Sequence, residues 1–150
     1  MGAALAVALI GLGACGDDPQ PLVEPPPPGK PASLIGTWNA TQPGGYKLRY
    51  VFRRDGTYRH FSGIRQKREA GEYIYAISAR GRVAIRGRTL VLRPRGGTIE
   101  LHDPGDPSGD FKRPLDKRPQ RYEWSVRGIG RDAKLTLTIG GSLAVTYRRG

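Results

Sequence analysis

The chain has 150 residues, 25 Lys and Arg against 13 Asp and Glu, and a formal net charge of +12. That length suits one ordinary domain rather than several. A single cysteine, Cys15, excludes an intramolecular disulfide, and with only His60 and His102 beside it there is no four-ligand His/Cys zinc set.

Residues 3–14 form an apolar run, too short to span a bilayer as a helix but of signal-peptide length. Gly11, Gly13 and Gly16 match G-x-G-x-x-G, a fingerprint that cradles a dinucleotide only where a helix follows. Here Asp17-Asp18-Pro19-Gln20-Pro21 and then Glu24-Pro25-Pro26-Pro27-Pro28 follow, and proline bars a helix. Leu12-Gly13-Ala14-Cys15 instead resembles the lipobox of bacterial lipoproteins. That resemblance implies a signal peptide over 1–14, cleavage before Cys15, and acylation of its thiol with palmitate-type chains. It also implies an exported cell-envelope protein, lipid-anchored to a membrane on its periplasmic or outer-surface side. Residues 15–32 then comprise the lipidated cysteine and a proline-rich linker, extended as polyproline II. At about 3.1 Å per residue such a linker reaches roughly 50 Å.

The composition changes at Ser33, and residues 33–150 read as one domain. Without Asp17, Asp18, Glu24 and Lys30, 24 basic and 10 acidic residues remain, a net of +14. Apolar residues alternate with polar ones in short segments split by Gly and Asp-Gly turns, an all-β pattern. Leu34–Ala40 opens it; Tyr46, Leu48, Tyr50 and Phe52 alternate next, and Asp55-Gly56 turns the chain. Thr57–Ser62 returns, and Ile64–Ala70 (IRQKREA) reads as an exposed excursion of about one helical turn. Tyr73, Tyr75 and Ile77 resume the alternation, followed by Val83 and Ile85, Leu90 and Leu92, then Ile99 and Leu101. His102–Pro119, rich in Pro, Asp and Gly, reads as a long loop. Tyr122, Trp124 and Val126 follow, then Leu135, Leu137 and Ile139, and Gly140-Gly141 turns into Leu143, Val145 and Tyr147. Nine or ten short strands with one apolar face predict a small antiparallel up-and-down barrel. All seven tyrosines fall on its inner face and arginine dominates the outer one.

Leu34-Ile35-Gly36-Thr37-Trp38, with G-x-W at Gly36 and Trp38, resembles the opening of the lipocalin superfamily. Tyr50–Gly63 and Gly81–Pro94 are similar to hairpin segments of small bacterial lipocalin-like lipoproteins. The T-D-Y motif of classical lipocalins is absent. The resemblance implies a barrel floor in which Trp38 packs under an arginine of the last strand, Arg149 ahead of Arg148. A guanidinium over an indole face is a favourable cation–π contact.

No catalytic set emerges. His102 and Asp103 are chain neighbours and would point to opposite faces of a strand, and Asp103, Asp106 and Asp110 miss the known calcium-loop spacing. Neither a metal nor a cofactor is expected. The inner-face residues Tyr46, Tyr50, Tyr58, His60, Tyr73, Tyr75, Tyr122 and Trp124 are the candidates to line a ligand cavity, since buried phenols need partners. The expected function is non-enzymatic: a monomeric, membrane-anchored lipoprotein that binds a small apolar or amphipathic ligand, or an anionic lipid or polysaccharide. The basic surface also suits nucleic acid, but an exported protein seldom meets it and no recognition motif is present. A structural lipoprotein with a solid barrel, or an enzyme with a site in the barrel mouth, are the alternatives.

Overall fold

A computed structural model describes residues 33–150. Cys15, the signal peptide expected over 1–14 and the linker expected over 15–32 lie outside the described residues. Nine strands follow in order: β1 (Gly36–Gln42), β2 (Tyr46–Phe52), β3 (Thr57–Arg68), β4 (Gly71–Arg86), β5 (Thr89–His102), β6 (Phe111–Pro114), β7 (Gln120–Arg127), β8 (Lys134–Ile139) and β9 (Leu143–Arg149). All pairings are antiparallel, and the ring closes through β1-β2-β3-β4-β5-β7-β8-β9. The fold is an eight-stranded barrel, lipocalin-like in architecture, with β6 as an added ninth strand.

Turns fall where the sequence provides them. Asp55 Oδ1 accepts hydrogen bonds from the Thr57 amide (3.0 Å) and hydroxyl (2.6 Å), and Gly56 takes φ +75° beside it. The strands, however, are not all short. β3, β4 and β5 run 12, 16 and 14 residues. Their far halves run on beyond the barrel ring as an extension, edged by β6 on Thr98–Leu101. The excursion read over Ile64–Ala70 is therefore corrected. Ile64 pairs with Tyr75 and Arg68 with Gly71, so the segment is strand to Arg68. Cross-strand hydrogen bonding overrides the weak helix preference of Gln, Lys and Arg. Likewise His102–Pro119 is not all loop, since Phe111–Pro114 pairs with β5.

β5 serves two partners. Thr89–Leu92 bond to β7, whereas Thr98–Leu101 bond to β6. The hand-over occurs at Pro94 and Arg95, where Pro94 removes a ladder donor and the register against β4 shifts. Leu115 bridges the gap through its amide to Gly97 O (3.1 Å).

The floor half of the barrel is packed solid. Leu34, Trp38, Phe52, Leu90, Leu92, Leu135 and Leu137 are almost wholly buried there. Trp38 Nε1 donates to Leu34 O (2.8 Å), so the indole satisfies its one polar atom. The Arg149 guanidinium lies over the Trp38 ring at 4.6 Å and donates to Ile35 O (3.1 Å) and Ser33 O (2.8 Å). Gly36 makes room: a Cβ there would sit 3.2 Å from Arg149 Nη1, and its φ of +136° suits glycine. Trp38 and Arg149 are also direct cross-strand partners, one of only two register pairs joining β1 to β9.

Candidate functional site

The other half of the barrel is built differently. Strand alternation puts Tyr50 and Leu48 of β2, Tyr58, His60 and Ser62 of β3, Ile77 and Ala79 of β4, and Tyr122 of β7 on the inner face. Toward the mouth they surround a cavity of about 160 Å³, which Pro94, Leu115 and Gln120 complete. It therefore lies behind the gap where β5 changes partners.

Tyr50 is the hub. It stacks on Phe52 (centroids 5.4 Å apart) and on His60 (4.2 Å), and meets Tyr147 edge-on at 5.5 Å. The Tyr122 hydroxyl donates to Gln120 Oε1 (2.9 Å), and the Tyr50 and Tyr122 phenols are close enough to couple electrostatically. The phenols thus follow one another as a chain of polar side chains from the barrel interior to the rim.

Burial raises the pKa of every phenol around this chain. Tyr50 is held well above the ordinary tyrosine value by desolvation, with Tyr122, Tyr147 and Tyr58 adding to it. Desolvation pushes Tyr58 up to about 12 and also raises Tyr147. Tyr122 rises for the same reason, while its polar contact with Tyr50 works the other way. All four remain neutral hydrogen-bonding groups at physiological pH.

His60 is the one group here with an unmet need. Burial lowers its pKa to about 4, against the opposing hydrogen bond with the Arg49 backbone. The ring is thus neutral near pH 7. Its Nδ1 is buried and has no hydrogen-bond partner. An unmet buried polar atom costs about 1–3 kcal/mol, so a donor placed against it is favoured.

Of the eight cavity candidates named from the sequence, the structure brings together Tyr50, Tyr58, His60 and Tyr122. The other four lie elsewhere. Tyr46, at the mouth end of β2, faces Tyr75 of the extension at 6.5 Å, and Tyr73 lies under the Arg68 guanidinium at 3.9 Å. Trp124 donates to Gly87 O (3.1 Å) and covers the β4–β5 turn at the floor end. They share the inner phase of the alternation, but that face outlasts the barrel. Ser62 and Gln120 went unnamed although their phase matches Tyr50 and Tyr122; Leu115 was hidden by reading its segment as loop.

His102 is a loop-edge group. Its Nδ1 meets Asp110 Oδ2 at 2.6 Å, not the adjacent Asp103. Asp110 is in turn held below the ordinary carboxylate value, first by the Asp103 amide and then by His102. Asp106 accepts from Ser108 Oγ (2.5 Å). These carboxylates organise their own loop, and among the described residues no group of three His, Cys, Asp or Glu is arranged to hold a metal ion.

The molecule is thus an antiparallel barrel with a solid floor and a small polar-aromatic cavity near its mouth. No protein-family model, curated protein or solved structure matches the chain.

Proposed function

We propose that this protein is a membrane-tethered, non-enzymatic binding protein that takes a small amphipathic molecule in its barrel mouth. The observation that carries the reading is His60: a half-buried, neutral imidazole whose buried Nδ1 has no partner, beside Tyr50 and the Tyr122–Gln120 hydrogen bond. A cavity of about 160 Å³ is smaller than the roughly 300–1,000 Å³ of drug-sized sites but suits one aromatic ring. The chemistry selects a neutral ring carrying an O–H or N–H donor for Nδ1. Tyr50, Tyr58 and Ile77 supply the apolar walls.

Tethering rests on Leu12-Gly13-Ala14-Cys15 and the proline-rich stretch behind it. Ser33 enters at the floor, so a tether from Cys15 would leave the mouth facing away from the membrane.

Native mass spectrometry of the protein purified from its host tests the ligand: a bound species near one-ring mass is expected, and its loss in His60→Phe. A wild-type barrel that carries only water and ignores added phenols would favour the solid-barrel alternative. Cys15→Ser tests the tether, by moving the protein from the membrane to the soluble fraction. Retention of the mutant with unchanged mass would refute lipidation.

A further inference from the structure

A large recess lies outside the barrel, on the solvent face of the long strands. It has a volume of about 660 Å³ and is lined chiefly by outward residues of β2 to β5. Two cross-strand rows build it. One runs Arg49–Phe61–Ser78–Thr98, the other Val51–Arg59–Arg80–Gly96. The hollow exists because glycines let the strands crowd and coil. A Cβ on Gly97 would strike Ser78 O, one on Gly81 would strike Arg93 O, and one on Gly63 would meet Tyr75 O at 2.5 Å.

Charge in these rows is one-sided. Arg59 and Arg80 are direct cross-strand partners. Like charges so placed destabilise a sheet. Neither row holds an acid. Elsewhere on the extension cations face carboxylates: Arg65 with Glu72, Arg68 with Asp103, Lys112 with Glu100. Between the arginines and the next strand lie two hydroxyls, Ser78 Oγ and Thr98 Oγ1, 3.0 Å apart. Beside them stands Phe61, 45% exposed. It is also shared by a second groove of about 570 Å³ that continues over Ala76 and Ile74 and is bordered by Lys47, Arg65 and Glu100.

We propose that this outer groove binds a single-chain amphiphile with a phosphate head. The head sits between Arg59 and Arg80 within reach of Ser78 and Thr98, and the alkyl chain runs past Phe61 toward Ala76 and Ile74. Arginine forks match phosphate oxygens in pairs, and the anion removes the Arg59–Arg80 repulsion. The apolar floor explains why an amphiphile is favoured over a bare anion. The site opens on the outer face; His60 and Ala79 border both it and the mouth cavity, but it does not depend on a ligand in the mouth.

The test uses the full chain with Cys15→Ser in detergent-free buffer, titrated calorimetrically with alkyl phosphates below their micelle thresholds. Decyl phosphate should bind about tenfold more tightly than octyl phosphate, because each buried CH₂ adds to the affinity. Arg59→Gln and Arg80→Gln should each weaken binding about tenfold without lowering the melting temperature of the ligand-free protein. Phe61→Ala should abolish the gain from octyl to decyl. Tyr122→Phe, which alters the mouth cavity but not the groove, should change nothing, and this separates the site from the mouth. Inorganic phosphate binding as tightly as decyl phosphate would overturn the proposal, as would equal binding of octyl glucoside. So would an equal loss from Arg131→Gln on the β7–β8 turn, or binding seen only on anionic vesicles.

Discussion

The two halves of the barrel are made from the same alternating strands, yet they solve opposite problems. At the floor every polar group of Trp38 is met and apolar side chains fill the space. At the mouth, the inner positions of the same strands hold Tyr50, His60, Ser62 and Tyr122 around a cavity. Phe52 and Tyr50 are two residues apart on β2, and the change from solid to polar takes place between them. The difference teaches where stability and recognition reside. Each end keeps one buried polar atom without a partner, Arg149 Nε at the floor and His60 Nδ1 at the mouth, but only the second lies in a residue that lines the cavity.

Removing the floor should have the largest effect. Trp38→Ala should cost about 3–5 kcal/mol in urea unfolding, as expected for a fully buried aromatic. An unchanged transition would dissolve the contrast between the ends.

The mouth should announce itself through pH. Unfolded, His60 takes up a proton near its ordinary value of 6.5; folded, only near about 4. Between those values the unfolded chain binds the extra proton, so stability falls as pH drops through that window. The loss is on the order of 3 kcal/mol, and it levels off below about pH 4. His60→Phe should flatten that part of the profile. A wild-type slope that survives the substitution would place its source elsewhere.

Arg149→Ala should cost less than Trp38→Ala, about 2 kcal/mol, through lost charged hydrogen bonds to carbonyls and the cation–π contact. The double mutant should fall short of additivity by about 0.5–2 kcal/mol, since the two side chains act as one unit. Strict additivity would mean that stacking over the indole contributes nothing.

The extension should matter least to folding. Tyr73→Ala removes a ring under the Arg68 guanidinium in a half-exposed setting, and about 0.5–1 kcal/mol is expected. A larger loss would show the extension to be part of the barrel's cooperative unit.

Much of this division was legible beforehand. The period of two gave strands, Asp55-Gly56 gave a turn, and G-x-W with a terminal arginine gave the Trp38–Arg149 pair. What failed was length. Alternation says which face a side chain takes but not where a strand leaves the ring, so it groups Tyr73 and Tyr75 with Tyr50. The outer groove left a fainter trace. Phe61 falls on the polar phase of Tyr58-Arg59-His60-Phe61-Ser62, and Gly63, Gly81 and Gly97 interrupt three strands. Each is a weak signal alone, and only the registers show that they converge.

The thin closure between β1 and β9 also has a mechanical meaning. Two register pairs hold first strand to last, and Arg149 reaches across them to the carbonyls of Ser33 and Ile35. The two ends of the domain therefore share one knot. Tension arriving along the segment before Ser33 meets the Arg149 guanidinium before it meets any ladder of the sheet. Under load that side chain yields first, and β1 and β9 then part from their ends inward, like a seam unpicked at its last stitch.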